Sequence, residues 1–385
     1  MFTEFNLPLW ESASGNQRFE LDLAGRHSDY STSGGILSHK TGINFQVAEA
    51  WRLRATVSRD VREATFAERF NLQGGGGQVV DPRIAGNPPP TQITVTSGGN
   101  PELSPEEADT MTAGFVWQPT GTGLQLSADW YKIELADAIG QVGAQNIVNG
   151  CFTLQRQNLC PLISLDPVTN GITNVRDVFQ NINEAVVRGI DYEIVWNTEP
   201  DFASNQSEAL TFRFLAGRLL EDSTTLLGGI TPDYRDIAGR WFEPDTKLLA
   251  NVRYQIGSWG INWQQRYIPE TRLDGGLNPV QAAGVDNPNW VQWEPGITVG
   301  PLPANTFTID DNTVQSKSYS DLILSYSSEM QSGGTWEASL SISNLLDVDP
   351  PVIPSFDTRF SSQTTSPNNF DIYGRRFLAN FRYRF

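Results

Sequence analysis

The stretch 376–385, RFLANFRYRF, decides the fold class of this chain. Every second residue in it is apolar, and arginine fills most of the positions between: the apolar set is Phe377, Ala379, Phe381, Tyr383 and Phe385. A period of two predicts a β-strand with one apolar and one polar face. The same alternation recurs at 52–58, 248–256 and 336–343. Soluble sandwiches alternate as well, so this pattern alone predicts strands and not their setting.

Strand length and loop length favour a membrane barrel over a sandwich. Many predicted strands reach ten residues, against about five or six in soluble proteins, and about nine to eleven residues cross a bilayer at a tilt. Short turns such as 119–123 alternate with long connections such as 63–105 and 139–174. This alternation predicts an all-β fold, an antiparallel up-and-down transmembrane β-barrel with long extracellular loops and short periplasmic turns. The predicted strands are 2–10, 17–30, 35–47, 51–62, 106–118, 123–138, 175–197, 208–220, 246–257, 259–269, 316–328, 334–344 and 373–385.

Composition narrows the class of protein further. The chain has 385 residues and a formal net charge of −17, which argues against nucleic acid as a partner because phosphate binding needs a basic surface. Mean hydropathy is −0.33, and no apolar run approaches ~18 residues, so the sequence predicts no transmembrane helix. Aromatic residues at 11% do not suit a disordered acidic chain. A β-rich protein remains.

The two cysteines, Cys151 and Cys160, close the short polar segment CFTLQRQNLC. We predict a disulfide and hence an oxidising compartment; the alternative is a redox or metal pair. His27 and His39 lie far away in sequence, so no metal set accompanies the cysteines, and we expect no cofactor. The chain begins at Met1 without the basic and apolar segments of a signal peptide. For an exported protein, that start predicts a fragment.

Catalytic and nucleotide-binding motifs find little support. The glycine run 74–77 lacks the lysine and helix pattern of a phosphate-binding loop. Glu106 and Glu107 are adjacent on a predicted strand, so they point to opposite faces and cannot act on one substrate together. The sequence contains neither a Ser/His/Asp ordering nor a zinc motif. We predict that the protein is not an enzyme.

Five segments, in the same order along the chain, resemble the carboxyl-terminal barrel portion of TonB-dependent outer-membrane receptors. SRDVREATFAERF is similar to an arginine-rich strand end running into a loop, although Ala64-Thr65 replaces the family's Ala-Pro-Thr. GGNPELSPEEADTMTAGFVW resembles the family's "G-N-P-x-L-x-P-E" signature. NINEAVVRGIDYEIVW and ISNLLDVDPP resemble two later strand motifs, and YGRRFLANFRYRF the terminal strand. The five segments are Ser58–Phe70, Gly98–Trp117, Asn181–Trp196, Ile342–Pro351 and Tyr373–Phe385.

The resemblance implies a receptor in the outer membrane of a Gram-negative bacterium. Its partners would be outer-membrane lipid, the β-barrel assembly machinery, a small-molecule ligand at extracellular loops, and the TonB energy-coupling protein through a plug. The family barrel has a nominal 22 strands, of which about 12–13 are predicted here, and neither plug nor signal peptide is visible. Residues 1–385 are therefore expected to be a partial barrel domain.

The implied function is energised uptake of a scarce nutrient: an iron-siderophore, cobalamin or an oligosaccharide. This chain would supply barrel wall and ligand-binding loops, and it would not perform energised uptake alone. The alternative is a smaller complete barrel that acts as a passive porin or adhesin. A soluble β-sandwich lectin is a third hypothesis, which the long alternating strands disfavour.

Aromatic residues in the predicted loops are the candidate ligand contacts, because rings bury large apolar area at little entropic cost. They are Trp241, Phe242, Trp290 and Trp293. Packing among loops or contact with lipid headgroups is the alternative.

Strand arginines are predicted to face the lumen, where they would meet plug carboxylates or form a wall network. They are Arg52, Arg54, Arg59, Arg253, Arg382 and Arg384. Phe381, Tyr383 and Phe385 resemble the terminal signal that the assembly machinery recognises. The same three rings also suit a lipid-facing aromatic girdle.

Overall fold

One large antiparallel sheet dominates the computed structural model. The structure describes residues 1–86, 89–203, 206–226, 233–272, 278–279, 291–292, 313–330, 333–352 and 365–384. Thirteen strands follow one another across the sheet and a fourteenth, β13 (Asp233–Asp236), pairs only with β12. The thirteen are β1 Phe2–Glu11, β2 Arg18–Tyr30, β3 Gly34–Ala48, β4 Trp51–Arg62, β7 Glu106–Trp117, β8 Leu124–Gly140, β11 Gln180–Thr198, β12 Glu208–Leu226, β14 Thr246–Ile256, β15 Trp259–Ile268, β20 Lys317–Glu329, β21 Thr335–Ser343 and β22 Arg376–Arg384.

The predicted all-β, antiparallel barrel-type fold is confirmed. Each of the thirteen strands predicted from alternation overlaps one of these strands, since a period of two is a local signal that survives without any knowledge of pairing. The prediction was wrong at 175–197, which contains two strands: β10 (Ile172–Val178) ends before β11 begins.

A second sheet is built inside the first two long connections. It has the order β5-β6-β10-β9, with β6 and β10 parallel and the other pairs antiparallel. Two α-helices accompany it, and a short 3-10 helix spans Cys160–Leu162. Their bounds are β5 Leu72–Val79, β6 Thr91–Gly98, β9 Ile163–Leu165, α1 Phe66–Phe70 and α2 Ala144–Phe152. Two further pairs of short strands are β16 (Thr271–Arg272) with β19 (Thr313–Val314), and β17 (Asn278–Pro279) with β18 (Val291–Gln292).

The two faces of the large sheet differ in chemistry. We call one the aromatic face; it carries Trp51, Phe115, Trp259, Tyr326 and Phe381 in register. The polar face carries, among others, Arg54, Asp129, Glu193, Glu337 and Arg382. This division follows from the alternation of side chains along each strand.

The edges of the large sheet are β1 and β22, which are exposed along their whole length. With thirteen strands in an antiparallel path, the first and the last run in the same direction. β1 leads into the turn 12–17, and β22 leads away from the connection 344–375. These two edges therefore cannot form an antiparallel ladder with each other.

Candidate ligand-binding site at the loop end

All long connections leave one end of the large sheet, which we call the loop end; the opposite end is the turn end. The turn end carries the connections 12–17, 49–50, 118–123, 199–207, 257–258 and 330–334. The loop end carries the short turn 31–33 and the long connections 63–105, 141–179, 227–245, 269–316 and 344–375. Any site made by long connections must therefore lie at this single end.

The first two long connections form a small folded unit with its own core. Helix α2 packs on the β5-β6-β10-β9 sheet, and a disulfide joins Cys151 at the end of α2 to Cys160. The buried side chains of this core are Val79, Ile93, Val142, Ile147, Val148, Cys151, Leu159, Ile172 and Val175. From sequence these connections are predicted only as loops, because the strands that order them pair with partners distant in sequence.

Two asparagines hold the two connections together and against the wall. The Asn100 side-chain amide donates to the Phe179 carbonyl at 2.8 Å. The Asn181 side chain accepts from the Ser104 amide and donates to the Ser104 carbonyl, both at 2.9 Å. Asn181 thus pairs with both backbone groups of Ser104, as a neighbouring strand would. Both asparagines lie in family-like motifs, yet their partners could not be read from sequence.

A buried ion pair joins α1 to Glu63, the residue that follows β4, and through Glu63 to the turn 31–33. The Arg69 side chain is 3% exposed and donates to Glu63 and to the Pro101 carbonyl, the latter at 2.7 Å. Glu63 also accepts from Ser33 and from Thr32. Burial alone would raise the pKa of Glu63, but the hydrogen bonds from Ser33, Arg69 and Thr32 together lower it.

Arg62, the last residue of β4, links that strand to β7 and to α1. Its guanidinium donates to Glu106 at 2.5 Å and to Glu68 at 3.0 Å. Glu68 also accepts from the Thr65 amide at 2.7 Å, completing a capping box at the start of α1. The hydrogen bond from Arg62, aided by those from Thr65, lowers the pKa of Glu68 to about 2.

The third, fourth and fifth long connections meet in a second cluster. Tyr319 and Phe370 are buried there with Ile268 and Val314, and Trp241 packs against them. The Asn369 side chain donates to the carbonyls of Trp241 at 3.2 Å and Phe242 at 2.9 Å.

This packing gives Trp241 and Phe242, two of the predicted ligand-contact residues, different exposure. Trp241 lies against the cluster core, whereas Phe242 is 39% exposed, with its ring edge-on to Trp241 at 5.5 Å. The structure therefore leaves Phe242 the more accessible ring of the two. Trp290 and Trp293 lie outside the described residues.

Five of the six predicted arginines share the polar face; Arg59 does not. Arg59 lies an odd number of positions from Arg54, so it points to the aromatic face, where it pairs with Asp109 at 2.6 Å. Arg54 reaches across β7 to Asp129, with its Nε 2.7 Å from Oδ1. Gly114 lies between them, and a Cβ there would overlap Asp129.

The remaining arginines make fewer short contacts within the described residues. Arg382 and Arg384 lie 3.8 and 3.9 Å from Glu337. Arg52 and Arg253 lie at polar-face register positions, and no ion pair is found for either among the residues that the structure describes.

Aromatic rings line the turn end on the aromatic face. Tyr326 lies between Trp259 and Trp336, with centroid distances of 4.6 and 5.0 Å, and Trp336 meets Phe381 at 6.1 Å. Rings at this level are typical of a membrane–water interface. Tyr383 is opposite Trp336 in the ladder, and Phe385 lies outside the described residues.

Two features are absent from the described residues. No cluster of three or more His, Cys, Asp or Glu side chains there has a geometry that could hold a metal ion. Within the same residues, no helix combines the length and apolar character needed to cross a bilayer.

Comparisons with known proteins identify solved structures with a similar fold. Among solved structures, the chain is similar to the siderophore receptor PirA from Acinetobacter baumannii, at 16% identity and a TM-score of 0.61. It is also similar to a variant of the ferric enterobactin receptor PfeA from Pseudomonas aeruginosa in complex with enterobactin, at 12% identity and a TM-score of 0.61. All of this chain is covered, against 45% and 44% of those chains, so it spans less than half their length.

Sequence comparison supplies the family. No curated protein sequence matches the chain significantly. The family model described as TonB dependent receptor-like, beta-barrel, matches residues 1–345. With the antiparallel sheet, the single loop end and this match, the chain belongs to the TonB-dependent receptor β-barrel family.

Proposed function

We propose that this chain forms part of the wall and the ligand-binding loops of an outer-membrane receptor for a scarce nutrient. The observation that carries the proposal is the segregation of every long connection to one end, where the connections form two clusters with buried cores. Preformed loop structure of this kind suits capture of a ligand, because little conformational entropy is lost on binding.

An iron-siderophore is the substrate class we favour over cobalamin or an oligosaccharide. Two structures that resemble the chain are described as a siderophore receptor and as a ferric enterobactin receptor bound to enterobactin. Their low identity supports the fold only, so the ligand class remains a proposal for direct measurement. Transport would require an energy-coupling protein and a plug, and the outer membrane of a Gram-negative bacterium is the location proposed.

The passive-barrel alternative requires the chain to close on itself. Closure would bring β1 and β22 together, and these strands run in the same direction. Barrels of the bacterial outer membrane close through antiparallel ladders. The strand directions therefore favour a wall segment of a larger barrel.

Surface binding of radiolabelled ligands tests the proposal. The chain would be displayed in a Gram-negative host without its own siderophore receptors and exposed to ferric enterobactin, cobalamin and a maltooligosaccharide. We expect saturable binding of the iron complex without energy-dependent accumulation. Phe242→Ala should weaken binding, and Phe202→Ala is the matched control, because Phe202 is 77% exposed at the turn end. No saturable binding of any ligand by correctly inserted chain would refute the proposal, and energised accumulation would refute the wall-only role.

A further inference from the structure

β5 is the long, unprotected edge strand of the β5-β6-β10-β9 sheet. The opposite edge, β9, has three residues, whereas β5 has eight, LQGGGGQV, in unbroken register with β6. Proteins usually blunt such edges with charge, proline or a bulge. β5 contains none of these, and its residues 72–76 are all exposed.

The fold does not require three of the four glycines. A Cβ built at Gly74, Gly75 or Gly76 meets no atom within 4 Å, and none of the three has a positive φ. Gly77 differs, because a Cβ there would overlap the Val95 side chain of β6. Glycine weakens a strand and often marks the close approach of another backbone. Nothing within the described residues therefore requires glycine at 74–76.

The direction of the backbone groups of β5 follows from one flanking hydrogen bond. The Gly99 amide donates to the Asn71 carbonyl at 3.0 Å, which extends the β5–β6 ladder by one pair. By alternation, residues 73, 75 and 77 bond to β6, and Gly74 and Gly76 direct their N–H and C=O groups to the open edge.

The chain already fills one position of this edge. The Gln145 side chain accepts from the Val80 amide at 2.7 Å and donates to the Val80 carbonyl at 2.9 Å. An amide group thus occupies the Val80 position of this edge, which Gln78 separates from Gly76. Among the described residues, no such partner is found for those two glycines.

We propose that the open edge of β5 binds an extended peptide segment of another molecule as an added strand. Its alternating partial charges complement another extended backbone, and the strand offers no formal charge to an ionic ligand. Side chains of the added strand would lie over bare glycine, as Val95 lies over Gly77, so bulky or aromatic residues at alternate positions are favoured. The proposal rests on the β5-β6-β10-β9 sheet alone and does not depend on nutrient transport.

Binding of a synthetic peptide with the β6 sequence, TQITVTSG, tests the proposal on the whole chain in detergent micelles. This sequence pairs with β5 on its other side. We expect saturable binding that slows hydrogen exchange at the Gly74 and Gly76 amides and leaves the Gly75 amide unchanged. The same peptide N-methylated at alternate residues should not bind.

A double variant, Gly74→Pro with Gly76→Pro, should weaken binding about tenfold or more, because it removes two edge donors. Proline is tolerated on an edge strand whose N–H faces solvent, so the sheet should persist. Its persistence is read from continued protection of the Gly75 amide. The matched control, Gly74→Ala with Gly76→Ala, keeps both donors, so it should retain binding and lose far less affinity than the proline variant.

Three results would overturn the proposal: no binding of the β6 peptide, equal binding by the folded proline variant, or equal binding of the N-methylated peptide. Dimer formation that the proline variant abolishes, without peptide binding to the wild type, would instead assign the edge to a second copy of the chain.

Discussion

Replacing Glu68 by glutamine should loosen α1 by removing one charge while keeping its shape. Glutamine can still complete the capping box with Thr65, so the helix start is preserved. What disappears is the ion pair with Arg62. The variant therefore isolates the electrostatic part of the link between α1 and the wall.

The size of the effect follows from the pKa of Glu68. Its fall from the usual 4.5 to about 2 corresponds to about 3 kcal/mol, at roughly 1.4 kcal/mol per tenfold change in proton affinity. Part of this figure comes from the hydrogen bonds with Thr65, which glutamine keeps. The Glu68 side chain is also 20% exposed, and screening reduces the figure further, so we expect about 2 kcal/mol at pH 7.

The sign of the pH dependence is fixed by the same pKa. A carboxylate whose folded pKa is lowered stabilises the fold above its unfolded pKa of 4.5, and this contribution is lost as pH falls toward 2. More than half of it should be gone by about pH 3. The difference between wild type and Glu68→Gln should therefore shrink between pH 7 and pH 3.

Hydrogen exchange at the Arg69 and Asn71 amides is the appropriate measurement, because both close turns of α1. At pH 7 we expect exchange about tenfold or more faster in Glu68→Gln. Glu102→Gln, an exposed carboxylate in the same connection, is the matched control and should change nothing. Equal protection in Glu68→Gln and wild type at pH 7 would refute the reasoning, as would a difference that is undiminished at pH 3.

Three other substitutions test the remaining contacts. Replacing both Cys151 and Cys160 by serine should speed tryptic cleavage at Arg156 about tenfold or more, since the disulfide's roughly 2–3 kcal/mol is lost; unchanged cleavage would contradict this. Gly114→Ala should lower the free energy of unfolding in detergent by about 1–3 kcal/mol, whereas the control Gly25→Ala, whose Cβ meets nothing within 4 Å, should not; equal losses would contradict a specific role for Gly114. Asn369→Ala should raise hydrogen exchange across 241–243 through the loss of two hydrogen bonds, about 1–3 kcal/mol locally, and unaltered exchange there would count against the second cluster.

The wall was predictable because its signal is local. Alternation along a strand needs no knowledge of the neighbour, and it located all thirteen strands of the path. Arg59 was misassigned because it was grouped with Arg52 and Arg54 by residue type, while its odd spacing from Arg54 already placed it on the other face. Period, and not composition, carries the information about faces.

The loop end was not predictable to the same depth, because its order comes from distant pairs. β6 and β10 pair in parallel across a long separation in sequence, and Asn100 finds its partner beyond β8. A glycine-rich segment such as 74–77 has low strand propensity, so tertiary context alone makes it a strand. Loop aromatics could be proposed from chemistry, but only packing separated Trp241 from Phe242.

These two outcomes bear on where ligand specificity can reside. The motif residues that identify the family, among them Arg69, Asn100 and Asn181, use their side-chain polar atoms to hold the connections together and against the wall. A side chain that makes such contacts cannot also bind a ligand without breaking the contacts that hold the connections in place. Specificity for the nutrient should therefore lie in loop-end groups outside the motifs, with Phe242 the first to test. The resemblance that is most informative about the fold is, for this physical reason, the least informative about the ligand.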